Sequence, residues 1–201
     1  MKKLFALAAA TAALAAVAVA GPAVDAPAPA FSGPTASGET ISLDQFKGET
    51  VILEWTNDGC PFVQKHYETG NMQKTQKAAN AAGAVWITVM SSAPGKQGHA
   101  DATRANKLMK EWASEPDYIL LDPDGVVGKA YDANTTPQMA LIDKDGVLRY
   151  AGAIDDKPSA NHATVEGAFN YVLAALSSVG KGEPVAVKET NPYGCAVKYK
   201  S

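Results

Sequence analysis

Two stretches of this 201-residue chain are apolar almost without interruption, Val51-Ile52-Leu53-Glu54-Trp55 and Ala84-Val85-Trp86-Ile87-Thr88-Val89-Met90. Short unbroken runs rich in β-branched and aromatic residues predict strands covered on both faces. Tyr118-Ile119-Leu120-Leu121 and Gln138-Met139-Ala140-Leu141-Ile142 predict two more. Between them the spacing turns helical: over 61–67, over 72–82 after a break at Gly70-Asn71, over 101–112, over 126–131 and over 163–176. The 101–112 segment puts Ala105, Leu108, Met109 and Trp112 on one stripe, and the last puts Ala168, Tyr171, Val172 and Leu176 on another. Residues 30–43 read as a hairpin turning at Gly38-Glu39, and Asp44 as the cap of a short helical turn ended by Gly48. Asp143-Lys144-Asp145-Gly146 turns the chain so that 147–153 returns beside the preceding strand. Strands alternating with helices and closing in a hairpin imply an α/β core, with a central sheet of mixed direction flanked by helices.

The first twenty residues follow a different rule. Lys2 and Lys3 precede an Ala-rich apolar run ending in Ala18-Val19-Ala20, the pattern of a secretory signal peptide cleaved after Ala20. The expected organisation is a signal over 1–20, a flexible Ala/Pro-rich lead-in over 21–30, one domain over 31–180 and a tail over 181–201. The mature protein is then exported, periplasmic or secreted, and free of the membrane. A formal net charge of −3 with no Lys/Arg run argues against a nucleic-acid partner.

The chemistry centres on Cys60. It follows the first buried strand and the polar turn Thr56-Asn57-Asp58-Gly59, and it precedes Pro61, a residue suited to the first position of a helix. A thiol there meets unpaired N–H groups and the positive end of the helix, which favour thiolate. The reading requires an exposed, ionised sulfur, the nucleophile of disulfide exchange and peroxide reduction. The one other cysteine, Cys195, lies in a loop-like segment between Pro192-Tyr193-Gly194 and Ala196. In an oxidising compartment it either resolves intermediates formed on Cys60 or staples the tail permanently, a closure worth roughly 5 kcal/mol in the chain-entropy model.

Trp55-Thr56-Asn57-Asp58-Gly59-Cys60-Pro61-Phe62-Val63, Lys65-His66-Tyr67, Leu121-Asp122-Pro123-Asp124-Gly125, Thr135-Thr136-Pro137 and Leu141-Ile142-Asp143-Lys144-Asp145-Gly146 together resemble the thioredoxin-like redoxins. More closely, they look like the exported branch of these families, the alkyl hydroperoxide reductase/thiol-specific antioxidant group and its thioredoxin-like relatives, over about residues 31–178. The resemblance implies a thioredoxin fold, Cys60 as the reactive cysteine, and Pro137 as a cis-proline that turns the backbone of Thr136 towards it. Two departures stand out. Val63 occupies the second cysteine position of C-x-x-C, and Asn57 and Leu53 replace the Thr and Pro of the peroxidase pattern, so the usual peroxide grip is missing.

The expected activity is thiol-disulfide oxidoreductase or antioxidant chemistry. Its substrate is a disulfide-bearing protein or a small-molecule disulfide or peroxide, and an external thiol restores the dithiol. That chemistry needs no bound cofactor and no metal. The alternative is a binding module for a protein or soft metal with a structural Cys60–Cys195 bond. His66, rotated about 240° from Cys60 on a helix, reads as a surface or packing residue. Lys65 and Arg149 are candidate cations near the site whose commoner reading is a solvated surface residue, and His99 and His162 read as solvated. Trp55 reads as core, and Asp155-Asp156 as a turn or helix lead-in rather than a metal site. Glu54 faces either the interior near the thiol or solvent.

Overall fold

The register of β3 (Thr50–Trp55) places it at the centre of a five-stranded sheet of order β5-β4-β3-β7-β8 in the computed structural model, which describes residues 21–200. β3 runs parallel to β4 (Ala84–Met90), which runs parallel to β5 (Tyr118–Leu121). On its other side β3 pairs antiparallel with β7 (Gln138–Ile142), and β7 with β8 (Leu148–Gly152). The mixed sheet has both faces covered, which is why β3, β4 and β7 are apolar along nearly their whole length.

Strand alternation divides the core in two. Ile52, Trp86, Met139, Leu141 and Tyr150 point to one face and meet α1 (Pro61–Glu68), α2 (Asn71–Ala81) and α5 (Tyr171–Lys181) through Val63, Tyr67, Met72, Ala79, Val172 and Leu176. Val51, Leu53, Trp55, Ile87, Val89 and Ile142 point to the other. There they meet Phe31, Ile41, Phe46 and Val127, brought by the hairpin β1–β2 (Ser32–Pro34, Thr40–Ser42), the 3-10 turn at Leu43–Phe46 and α4 (Val126–Ala130). The stripe read on α3 (Ala102–Glu111) packs as expected, through Ala105, Leu108 and Met109.

Three expectations shift. The last helix begins at Tyr171, not at 163. Gly167 takes a φ of 71°, which breaks the run, and Asn170 caps the helix by accepting from the Leu173 N–H at 2.9 Å. Only a 3-10 turn, His162–Val165, precedes it. The cap of the 3-10 turn at Leu43–Phe46 is Ser42 rather than Asp44, and the Ser42 N–H donates to the Gln45 side chain at 2.6 Å. The lead-in at 21–30, expected to be loose, lies along the β7–β8 hairpin: Asp25 and Ala28 donate backbone N–H groups to Leu148 and Gly146. Residues 1–20, the expected signal, lie outside the described residues. Among those described, no helix is long and apolar enough to cross a membrane.

The tail forms a strand of its own. β9 (Cys195–Ala196) pairs antiparallel with β6 (Thr135–Thr136) in a separate two-stranded ribbon beside the main sheet. Asn170 binds α5 to its neighbour as well as capping it, donating from its amide to the Thr75 hydroxyl on α2 at 2.9 Å. Replacing Asn170 with Ala removes both bonds, so we expect a loss of about 1–2 kcal/mol, read as a lower urea midpoint with an unchanged slope.

Candidate active site

Cys60 is the N-cap residue of α1, with Pro61 following as the first helical residue. The turn ahead of it is built from its own polar side chains. Asn57 accepts from the Gly59 N–H at 2.9 Å and, through its carbonyl, from the Cys60 N–H at 3.1 Å. Gln64 donates to the Asp58 carbonyl, Gln97 to the Gly59 carbonyl, and Arg104 pairs with the Asp58 carboxylate at 2.6 Å. The corner is therefore fixed from β3, α1, α3 and the loop after β4.

The expected exposed sulfur is instead fully buried, at 0% exposure. The cover is the tail. The Cys60 thiol donates to the Thr136 carbonyl at 3.1 Å, and its sulfur accepts from the Cys195 N–H at 3.4 Å. The Thr136–Pro137 peptide is cis. Register pairs Thr136 with Cys195, and the Thr136 hydroxyl donates to the Cys195 carbonyl at 3.3 Å. Four positions singled out in the sequence, Cys60, Thr136, Pro137 and Cys195, thus come together, and both cysteines are free thiols. Burial and the hydrogen bond with Cys60 push the Cys195 thiol up to about 11.

Gly194 makes this approach possible. Its φ is 143°, and a Cβ there would overlap the Thr136 carbonyl oxygen. One residue earlier, Tyr193 enters a buried polar cluster that sequence reading missed. Its hydroxyl donates to Asp155, accepts from the Lys65 ammonium at 3.2 Å, and lies 3.3 Å from His66 Nε2. Lys65 also donates to the Lys157 carbonyl at 3.0 Å and sits over the Tyr193 ring, which packs against Phe62.

The solvated reading of Lys65 is corrected: it is fully buried. Burial lowers its pKa against the opposing pull of Asp155. His66 is a packing residue whose Nδ1 meets Asn71 at 2.8 Å, and burial followed by the Lys65 charge holds its pKa down to about 3. Asp155 is no plain turn residue, since it is buried and one of its oxygens has no hydrogen-bond partner. Only long-range pairing reveals this cluster; Lys65-His66, Asp155 and Tyr193 lie too far apart in the chain to suggest it.

Glu54 faces inward. Its carboxylate receives Tyr67 Oη at 2.7 Å, Trp86 Nε1 at 3.0 Å and Thr88 Oγ1 at 3.2 Å, and burial raises its pKa. Trp55 packs on Tyr131 in the core as read. Arg149 pairs with Asp25 and Asp143 at the far end of the sheet from Cys60. His162 is exposed, and His99 is half-buried against the Ser92 carbonyl. Among the described residues no group of three His, Cys, Asp or Glu side chains is placed to hold a metal ion.

A cysteine at a helix cap facing a cis-proline loop, on a mixed sheet in this strand order, defines a thioredoxin fold. The chain belongs to the Redoxin family, whose model matches residues 23–169. Among solved structures it is similar to a hypothetical protein from Sinorhizobium meliloti 1021, with a TM-score of 0.75 and 22% identity, covering 90% of this chain and 97% of that one. It is also similar to the thioredoxin domain of a thiol-disulfide oxidoreductase from Bacteroides vulgatus (TM-score 0.52, 26% identity, 72% of this chain and 96% of that one). A third is a secreted Mycobacterium tuberculosis disulfide oxidoreductase (TM-score 0.51, 16% identity, 74% and 95%). No curated protein matches the chain.

His66 supplies a pH test. The unfolded chain binds a proton near pH 6.5 that the folded chain refuses until about 3, so stability should fall as pH drops through that interval. We expect the His66 ring to show no NMR titration between pH 7.5 and 4.5. We also expect His66→Gln to flatten the decline in urea midpoint over the same range.

Proposed function

We propose that this chain is an exported thiol-disulfide oxidoreductase of antioxidant type, with Cys60 as nucleophile and Cys195 as resolving thiol. The observation that carries the reading is the contact at 3.4 Å between the Cys60 sulfur and the backbone of Cys195, 135 residues away. A pair that exchanges must bring its two sulfurs together, and a backbone contact at this distance puts the Cys195 side chain beside the Cys60 sulfur.

The Cys60 thiolate attacks one sulfur of a disulfide and forms a mixed disulfide, and the departing thiolate takes a proton. Cys195, deprotonated, then attacks the Cys60 sulfur, closes the Cys60–Cys195 bond and releases the second thiol. With a hydroperoxide the first product is the Cys60 sulfenic acid and an alcohol, and resolution by Cys195 releases water. In either case two electrons leave the protein, and an external dithiol returns them. The Cys195 N–H donates to the Cys60 sulfur, and the positive end of α1 lies beside it without a cap hydrogen bond to the side chain. Burial raises the Cys195 thiol, and this cause persists once Cys60 is a mixed disulfide, so resolution slows as pH falls.

Residues 1–20 act as the export signal in this reading, 31–180 as the redox domain and 181–201 as the tail that brings the second thiol. The secreted disulfide oxidoreductase of similar fold supports the compartment, and the thiol-disulfide oxidoreductase from Bacteroides vulgatus supports the chemistry. Burial of Cys60 favours the second reading, a binding module whose Cys60–Cys195 bond is a permanent staple.

A thiol count separates the two. Protein purified without reductant should show no free thiol, and two after mild dithiol treatment. The reduction potential of the pair should lie above about −300 mV, whereas a staple falls well below it. Cys60→Ser should abolish all turnover, and a variant that keeps its reductase or peroxidase rate contradicts the assignment.

A further inference from the structure

The stretch from Thr190 to Tyr199 crosses the site from one margin to the other and is tied down along the way. Before the site, the Thr190 N–H donates to the Ala151 carbonyl at 3.2 Å, and Tyr193 is rooted in the Lys65–His66–Asp155 cluster. Over the site, β9 pairs with Thr135 and Thr136. Beyond it, the Val197 N–H donates to the Asn134 carbonyl at 3.0 Å and the Lys198 carbonyl accepts from the Ala93 N–H at 2.8 Å. Tyr199 then lies against Gly125 and Gly128, where any Cβ would overlap its ring, and donates to the Ala133 carbonyl at 2.5 Å.

The edge of β6 is therefore filled by the chain itself. A polypeptide presenting a disulfide to Cys60 in extended form would need this same edge for its main-chain hydrogen bonds. It would gain no bonds that β9 does not already make. The tethered strand also competes at an effective concentration of about 1 mM or more, roughly a hundredfold above a polypeptide present at about 10 μM. A small molecule faces a lower barrier. It needs only a local shift of Cys195, which is partly exposed, and no released strand.

We infer that the segment Tyr193–Tyr199 is a specificity strap that closes the Cys60 site to polypeptides and leaves low-molecular-weight disulfides as its substrates. The inference rests on the oxidoreductase reading and narrows its substrate class. Cys60 attacks the small disulfide R–S–S–R, one RSH leaves, Cys195 displaces the second RSH, and the Cys60–Cys195 bond remains. Tyr193 and Gly194 are positioning residues. The first roots the strap, and the second lets it lie on the Thr136 carbonyl.

The test compares two probes with one leaving group, cysteamine and an extended hexapeptide cysteine, each carried as a mixed disulfide with 5-thio-2-nitrobenzoate. Release of the coloured thiolate gives the rate, and mass spectrometry of the Cys195→Ser protein, which cannot resolve, places the adduct on Cys60. We expect the full-length protein to prefer the small probe at least fiftyfold. Gly194→Ala, which lifts the strand, and Tyr193→Phe, which unroots it, should each lower that ratio at least tenfold, while Cys195→Ser, which keeps the strand, should not. Equal rates for both probes in the unaltered protein overturn the strap alone, as does a ratio unmoved in both lifting variants. Absence of coloured release from either probe in every variant overturns the oxidoreductase reading itself.

Discussion

The pairing of Thr136 with Cys195 is the contact on which the site depends. It is a ribbon of two residues on each side, too short to be stable alone. What holds it is the set of side chains around it. Tyr193 sits in a buried cluster, Gly194 tolerates the close approach to a carbonyl, and Tyr199 fills the space left by two glycines. Without that pairing Cys60 would be a lone thiol at a helix cap. With it, the sulfur has a second thiol as neighbour and a cover against water.

The buried charges beneath the tail follow from the same arrangement. Lys65, His66 and Asp155 lose their hydration when Tyr193 closes over them, and each must be offset within the cluster. The tyrosine hydroxyl does this by donating to Asp155 while accepting from Lys65. Desolvation keeps the imidazole neutral, so the cluster carries one ammonium and one carboxylate rather than an excess of positive charge. On the same face of the sheet, Glu54 is treated differently. It has no cation within its set of partners and is held by three neutral donors.

Much of this was legible in the chain, for definable reasons. β4, β5 and β7 begin and end where their apolar runs do, because strands covered on both faces leave no polar position to blur the boundary. Cys60 stood out because a cap position is a local property, written in the strand before it and the proline after. α5 starts later than its pattern implies, because 163–176 is apolar enough for a helix while the true boundary rests on the conformation of Gly167 and the Asn170 cap. The burial of Cys60 and the cluster around Tyr193 were hidden for another reason. Both arise from tail residues meeting residues 38 to 135 positions away, and no local pattern records such a meeting.

The two margins of the sheet have a consequence of their own. At β5, the Ala36 N–H binds the Ile119 carbonyl and Thr35 bridges Leu120; at β8, residues 188–190 run beside Ala151 and exchange backbone bonds with it. Neither outer strand presents a free row of amides and carbonyls, the feature by which sheets fuse with one another or template fibrils. A second copy cannot lengthen this sheet by simple addition. Self-association through this sheet has to avoid both margins, and a crowded, unfolding-prone environment meets a central sheet with its adhesive seams already sewn.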